Sequence, residues 1–269
     1  MKLILAPVDF SDASANAVLF AAELAKRSSA RLVIVNILQK AQDENDTKVR
    51  LNTMEAELKK TFDSDLQCES FTAHGNLITT LEKIMAVQQP DLIVMGTKGA
   101  SGLKKILIGS NTVNLLSNTK LPVLVIPEVA RFGNFFHKEK NRIVLATDLD
   151  SLENEEALNV LKEIALFIIE PKVRVLSVRS KNKKLARSKR KERDFLLSFF
   201  NPEIASERVT VFSNSVIGGI NFYLSQKNTD TGLLAMIARD SGHLIQKHYT
   251  REMASHTHLP LLVLHDIKS

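Results

Sequence analysis

One apolar strand pattern occurs twice in this chain, and so does a second one near the other end of each copy. This repetition constrains the fold more than any other feature. Leu3-Ile4-Leu5-Ala6-Pro7-Val8-Asp9 is answered by Ile143-Val144-Leu145-Ala146-Thr147-Asp148, and Asp9 to Asp148 is a step of 139 residues. Lys120-Leu121-Pro122-Val123-Leu124-Val125-Ile126 is answered by His258-Leu259-Pro260-Leu261-Leu262-Val263-Leu264, a step of 138. Matches at nearly one offset, at opposite ends of a unit, imply a duplicated domain. The 269 residues give each copy room for a buried core. The expected division is 1–130, a linker at 131–140 carrying Gly133 and three Phe residues, and 141–269.

Each copy alternates strand-like and helix-like runs. In the first, residues 3–9, 31–38, 66–72, 91–96 and 121–126 are rich in Val, Ile and Leu without polar alternation, as strands covered on both faces require. Between them, 13–27, 46–62, 77–87 and 111–117 have helical character. Ala17, Phe20, Ala21, Leu24 and Ala25 share one helix face, and Ser11 and Asp12 sit where an N-cap belongs. Strands are expected in the second copy at 143–147, 173–178, 209–212, 233–238 and 261–264. Strands alternating with helices predict an α/β fold, with a doubly wound parallel sheet of five strands in each copy.

In such sheets ligands bind beyond the carboxyl ends of the strands, where successive connections turn to opposite sides. Two segments of the first copy carry suitable chemistry: Pro7-Val8-Asp9, and the stretch from Gly96 to Thr112, GTKGASGLKKILIGSNT. Gly96 and Gly99 lack a Cβ, so a ligand can lie against the main chain. Gly109 and Ser110 open a short helix whose free N–H groups suit phosphate. Ser110 and Thr112 add hydroxyls, and Lys98, Lys104 and Lys105 add positive charge. The segment is neither a Walker A loop nor a G-x-G-x-x-G fingerprint. A surface loop using glycine only for its turns is the alternative.

Gly96-x-x-Gly99, nine residues, then Gly109-Ser110 resembles the G-2x-G-9x-G-(S/T) signature of the ATP-binding universal stress proteins, and the whole chain resembles a tandem member of that family. The resemblance implies two flavodoxin-like domains of the universal stress protein, or adenine nucleotide alpha-hydrolase-like, kind. It implies an ATP site (or one for ADP or AMP), with Mg²⁺ or Mn²⁺ bridging the phosphates. Val8 and Asp9 would contact the adenine side, helped by Asn36 and Ile37. Met95 and Gly96 would lie along the ribose, and Gly99, Gly109, Ser110 and Asn111 would hold the phosphates. Family members pair through their fifth strands, so a tandem chain is expected to form that pseudo-dimer internally. A homodimer of the whole chain and an unidentified protein partner are compatible with it.

The second copy departs from this pattern. Met236-Ile237-Ala238-Arg239-Asp240 aligns with Met95-Gly96-Thr97-Lys98-Gly99, and Lys247-His248 with Gly109-Ser110. All three glycines are gone, and no ATP is expected there. His256-Thr257-His258 aligns with an ordinary turn and is not taken as a metal site, and His74-Gly75-Asn76 is expected to be a helix-entry turn.

Charge narrows the partners. The net charge of +6 comes from residues 179–193, where nine Lys or Arg face one Glu, so the window carries +8 and the remainder −2. Without interleaved aromatics the run is expected to be a solvated helix face, and no nucleic-acid partner is expected. No membrane association is expected either, because Asp9 breaks the N-terminal apolar run and residues 164–169 are too few to span a bilayer. A single cysteine, Cys68, excludes an intrachain disulfide and fits a cytoplasmic location. No motif sets a base beside a nucleophile, so no catalytic residue is assigned. The expected function is nucleotide binding with a regulatory role in stress. The alternatives are a slow ATPase or adenylate-using enzyme, a scaffold with an empty site, and phospho-acceptor signalling at Asp9.

Overall fold

The first strand, β1 (Leu3–Val8), is buried at every position, which is what an apolar run without alternation requires. The computed structural model describes residues 1–39, 44–62, 64–97, 110–137, 141–182, 184–226, 230–239, 249–250, 252–254 and 258–266. The chain divides into unit 1 (Met1–Phe132) and unit 2 (Gly133–Ser269).

In unit 1, helix α1 (Asp12–Ser28) follows β1. Its N-cap is Ser11, whose hydroxyl oxygen accepts from the Ser14 N–H; Lys26 and Arg27 lie in the last turn, where the helix dipole favours cations. The α1 face built of Ala17, Phe20, Ala21, Leu24 and Ala25 is buried, and the helix lies against β1 and its neighbours on one side of the sheet. Next come β2 (Arg31–Leu38), α2 (Glu44–Thr61), β3 (Cys68–His74), α3 (Leu77–Gln88), β4 (Leu92–Thr97), α4 (Ser110–Asn118) and β5 (Val123–Pro127). The strand order is β3-β2-β1-β4-β5, and every ladder is parallel. This is the doubly wound sheet expected. Connections from β1 run outward to β2 and β3, then return past β1 to β4, so the switch point lies between the ends of β1 and β4.

His74-Gly75-Asn76 is a helix-entry turn. Gly75 has φ +130°, and Asn76 caps α3 by accepting from the Ile78 N–H. The strand expected at 66–72 lies two residues later, because the β2–β3 register pairs Leu32 with Cys68. Cys68 is buried, and burial pushes its thiol pKa up to about 12.

The segment expected as a linker contains a short helix, α5 (Phe132–Phe136). Phe132 packs edge-on against Phe20 and Phe62, with centroids 6.1 and 5.6 Å away, and Phe135 and Phe136 are buried. Its aromatic residues are packing groups, which a polar flanking composition concealed.

Unit 2 comprises β6 (Arg142–Ala146), α6 (Glu156–Leu166), β7 (Lys172–Arg179), α7 (Arg187–Phe200), β8 (Ala205–Phe212), α8 (Val216–Leu224), β9 (Thr231–Arg239) and β10 (Leu261–Asp266). Its order is β10-β9-β6-β7-β8, again all parallel. β8 starts four residues before the expected run at 209–212. Its first half is polar and its pattern alternates between half-buried and exposed, as on a sheet margin. It is fixed there by Glu207, which receives Arg174 Nε at 2.5 Å and Lys172 Nζ at 2.6 Å from β7. The basic run is not wholly a solvated face: in α7, Glu192 is buried and Lys189 turns toward the end of β6. Among the described residues no helix is long and apolar enough to cross a membrane.

Candidate functional site

The end of β1 is organised by short-range hydrogen bonds that follow from its serines. Asp9 Oδ1 accepts from the Ser11 N–H at 3.0 Å and from the Ser11 hydroxyl at 2.5 Å. Ser14 Oγ donates to the Ser11 carbonyl at 2.9 Å. Partial burial opposes ionisation of Asp9, but the bonds from Ser11, with help from Ser14, outweigh it and hold the carboxyl below its ordinary range. Asp9 is therefore a carboxylate fixed over the first turn of α1. Phe10 adopts φ +59°, uncommon for a bulky residue, and the Arg50 guanidinium of α2 lies 4.0 Å from its ring centroid.

Asn36 stands opposite Val8 in the β1–β2 ladder, and its Nδ2 donates to the Val8 carbonyl at 2.8 Å. That bond fixes the amide orientation, leaving Asn36 Oδ1 buried without a partner. Thr97 Oγ1, at the end of β4, is in the same condition. The carboxyl ends of β2 and β4 thus each carry an orphaned buried oxygen. Pro7, Val8 and Met95 are buried, Ile37 is half-buried and Asn111 is exposed, while Thr112 is buried in the first turn of α4. Ser110 is the first residue of α4. Lys98, Gly99, Lys104, Lys105 and Gly109 lie outside the described residues, as does the Ser110 side chain.

Gly96 is required for a different reason from the one its place in the loop suggested. A Cβ there would lie 2.3 Å from the Ala13 carbonyl oxygen and 2.7 Å from the Ser14 nitrogen. The missing side chain seats the first turn of α1 against β4, and the space a side chain would take is filled by backbone. The helix is further tied to the exit of β5, where Asn16 Nδ2 donates to the carbonyls of Pro127 and Ala130 at 3.2 and 3.0 Å.

The equivalent corner of unit 2 is built differently. Ladder β1–β4 pairs Ile4 with Leu92, and β6–β9 pairs Ile143 with Leu233, so Ile237 holds the Gly96 position and Arg239 the Lys98 position. The Arg239 side chain is 8% exposed. It donates to the carbonyls of Asp150 and Ser151 and lies 3.6 Å from Asp266 and 3.8 Å from Asp148. Asp266 also accepts the backbone N–H groups of Glu153 and Asn154 at 2.8 and 3.0 Å. Lys189 bonds the Asp148 carbonyl at 2.8 Å and meets Asp150 at 2.9 Å. Burial pushes the Asp148 carboxyl up; the Asp150 N–H and Arg239 recover only part of that cost. Arg239, Asp266 and Lys189 were not singled out from the sequence. The available signal was an Arg at one strand end with acids at two others.

The sequence profile of the Universal stress protein family matches residues 1–127. Over those residues the chain is similar to universal stress protein domains. A universal stress protein of Bacillus subtilis is 27% identical over 143 residues, covering 46% of this chain and 97% of that protein. Another, from Methanocaldococcus jannaschii, is 33% identical over 88 residues, covering 31% of this chain and 54% of that protein. The crystal structure of a universal stress protein from Archaeoglobus fulgidus, 18% identical, covers 98% of both chains with a TM-score of 0.73. The fold of that structure therefore runs the length of the chain, and the signature glycines fall in unit 1.

Proposed function

We propose that unit 1 binds an adenine nucleotide, ATP in the first instance, and that the chain is a regulatory stress protein whose bound nucleotide biases partner choice. The observation that carries this reading is the start of α4 at Ser110, the residue closing the G-2x-G-9x-G-S spacing. The free N–H groups of a helix first turn thus follow directly on the glycine segment, as phosphate binding requires.

Pro7-Val8-Asp9, Asn36 and Ile37 line the adenine side in this reading, and Met95 the ribose. Lys98, Gly99, Gly109, Ser110, Asn111 and Thr112 hold the phosphates. Gly96 contributes by seating α1. The orphaned oxygens of Asn36 and Thr97 support a ligand at this end of the sheet, since buried acceptors left without donors are uncommon. A divalent cation would ride on the phosphate oxygens and neutralise them; among the described residues no group of three acids, cysteines or histidines is arranged to hold one.

The test is calorimetry with ATP and magnesium on the full chain, joined to chromatography of any nucleotide released on acid precipitation. Saturable heat that disappears in a folded Gly109→Val variant is expected. Absence of both heat and a co-purified nucleotide would overturn the reading.

A further inference from the structure

Unit 2 carries a cavity of about 260 Å³ at the carboxyl ends of its strands. Leu176 and Val178 come from β7, Met236 and Ile237 from β9, and Val216 and Ile220 from α8. These six side chains make an apolar wall. One end is polar, formed by Thr147 and Asp148 where β6 finishes and by Tyr249.

The cavity exists for a structural reason. In unit 1 the first turn of α1 presses on β4; in unit 2 α6 begins only at Glu156, with nine residues between it and the end of β6. The intervening chain folds over the Arg239 cluster, leaving space over Met236 and Ile237. The opposite wall is closely packed. α8 lies so near β7 that a Cβ on Gly219 would come 2.5 Å from Val178, which sets the separation of the helix and the strand that line the cavity.

The described charges at its polar end do not suit the ligand proposed for unit 1. Four acids (Asp148, Asp150, Asp266 and Glu192) surround two cations, Arg239 and Lys189, and both cations are engaged by carboxylates and carbonyls. Among the described residues of this cluster both cations are already engaged, and the carboxyl groups outnumber them. An acceptor, Asp148, stands at the mouth of an apolar cleft. An apolar cavity of about 150 Å³ takes up benzene, so this larger one has room for a two-ring or equivalent alkyl body.

We propose that unit 2 is a binding site for an uncharged, largely apolar small molecule of two-ring size, bearing a hydroxyl or amino donor directed at Asp148. The two units then read chemically different ligands at the same place in the fold.

The probe is 2-naphthol, titrated into the full chain. The protein has two tyrosines, Tyr223 and Tyr249, and no tryptophan, so transfer of tyrosine emission to naphthol reports occupancy beside Tyr249. Saturable quenching with Kd below about 100 µM is expected, with 2-methoxynaphthalene about tenfold weaker for lack of its donor. No binding of 2-naphthyl phosphate is expected up to about 1 mM. Val216→Phe, which fills the cleft, should weaken 2-naphthol at least tenfold while the thermal melt by circular dichroism is kept. The analogue series on the native chain decides the matter should that variant fail to fold. The proposal is overturned by absent saturation, by equal binding of the phosphate or the methoxy analogue, or by unchanged binding to folded Val216→Phe. Displacement of 2-naphthol by ATP and magnesium would assign it to unit 1 and overturn the proposal as well, whereas failure of ATP binding alone touches only unit 1.

Discussion

Three residues separate β1 from α1, and nine separate β6 from α6. The sheets of the two units share order, polarity and register, yet this difference in one connection changes everything at their switch points. Where the helix starts early, glycine is forced at position 96, and Ser11 caps the helix and fixes Asp9. Where it starts late, Ile237 is tolerated, Glu155 at the N-cap makes no side-chain cap bond while Asn154 Oδ1 accepts from the Glu156 N–H, and an arginine crosses the strand ends to tie down the longer connection. A ligand site in this architecture is set less by the sheet than by the distance at which the first helix begins.

The comparison breaks most easily at Arg239. Truncation to Met leaves Asp266 and its neighbours without their counter-charge in a nearly sealed place, and unit 2 should lose about 3–5 kcal/mol. Urea titration followed by tyrosine emission isolates this, because both tyrosines lie in unit 2. A loss below about 1 kcal/mol would mean the cluster does not hold the connection.

Next in size is the glycine asymmetry. Gly96→Ala drives a methyl into the α1 backbone and should cost about 2–3 kcal/mol in unit 1. The readout is alkylation of Cys68, whose buried thiol becomes reactive on opening. In the other unit the half-buried Ile237→Ala should cost under about 2 kcal/mol. Ser11→Ala removes a cap and a bond to Asp9 and should cost about 1 kcal/mol by Cys68 alkylation, with Glu155→Ala near zero by tyrosine emission.

The smallest expected effects have opposite signs. Asp9 has a lowered pKa when folded, so its contribution is present above the unfolded value near 3.9 and disappears as pH falls through the folded one. Asp148 has a raised pKa, so its folded state is favoured below about 3.9 and penalised as pH rises through the folded value. At neutral pH Asp9→Asn should therefore lower, and Asp148→Asn raise, the melting temperature of the unit that carries it. Equal signs would refute the distinction between the two corners.

Much of the fold was legible because buried parallel strands are continuous apolar runs; β2 occupies the span its composition predicts. Ser11 announced the start of α1 through ordinary capping chemistry. β8 was half hidden, since a marginal strand held by Glu207, Arg174 and Lys172 has the composition of a surface loop. At the candidate site, the end of β1 before Asp9 and a helix opening at Ser110 were legible from pattern. The actual constraint on Gly96 could not, because it depends on which backbone lies opposite a residue more than 80 positions away, at Ala13. Arg239 was hidden for a like reason, since its carboxylate partners come from distant strand ends.

The seating of α1 on Gly96 has a corollary for substitution. A side chain at that place and an early helix start are mutually exclusive, so neither can be exchanged alone between the two halves. Grafting Ile237 into unit 1, or an early helix into unit 2, demands both changes together. The cleft of such a domain is therefore altered in whole steps, with the connection and the strand residue moving as a pair.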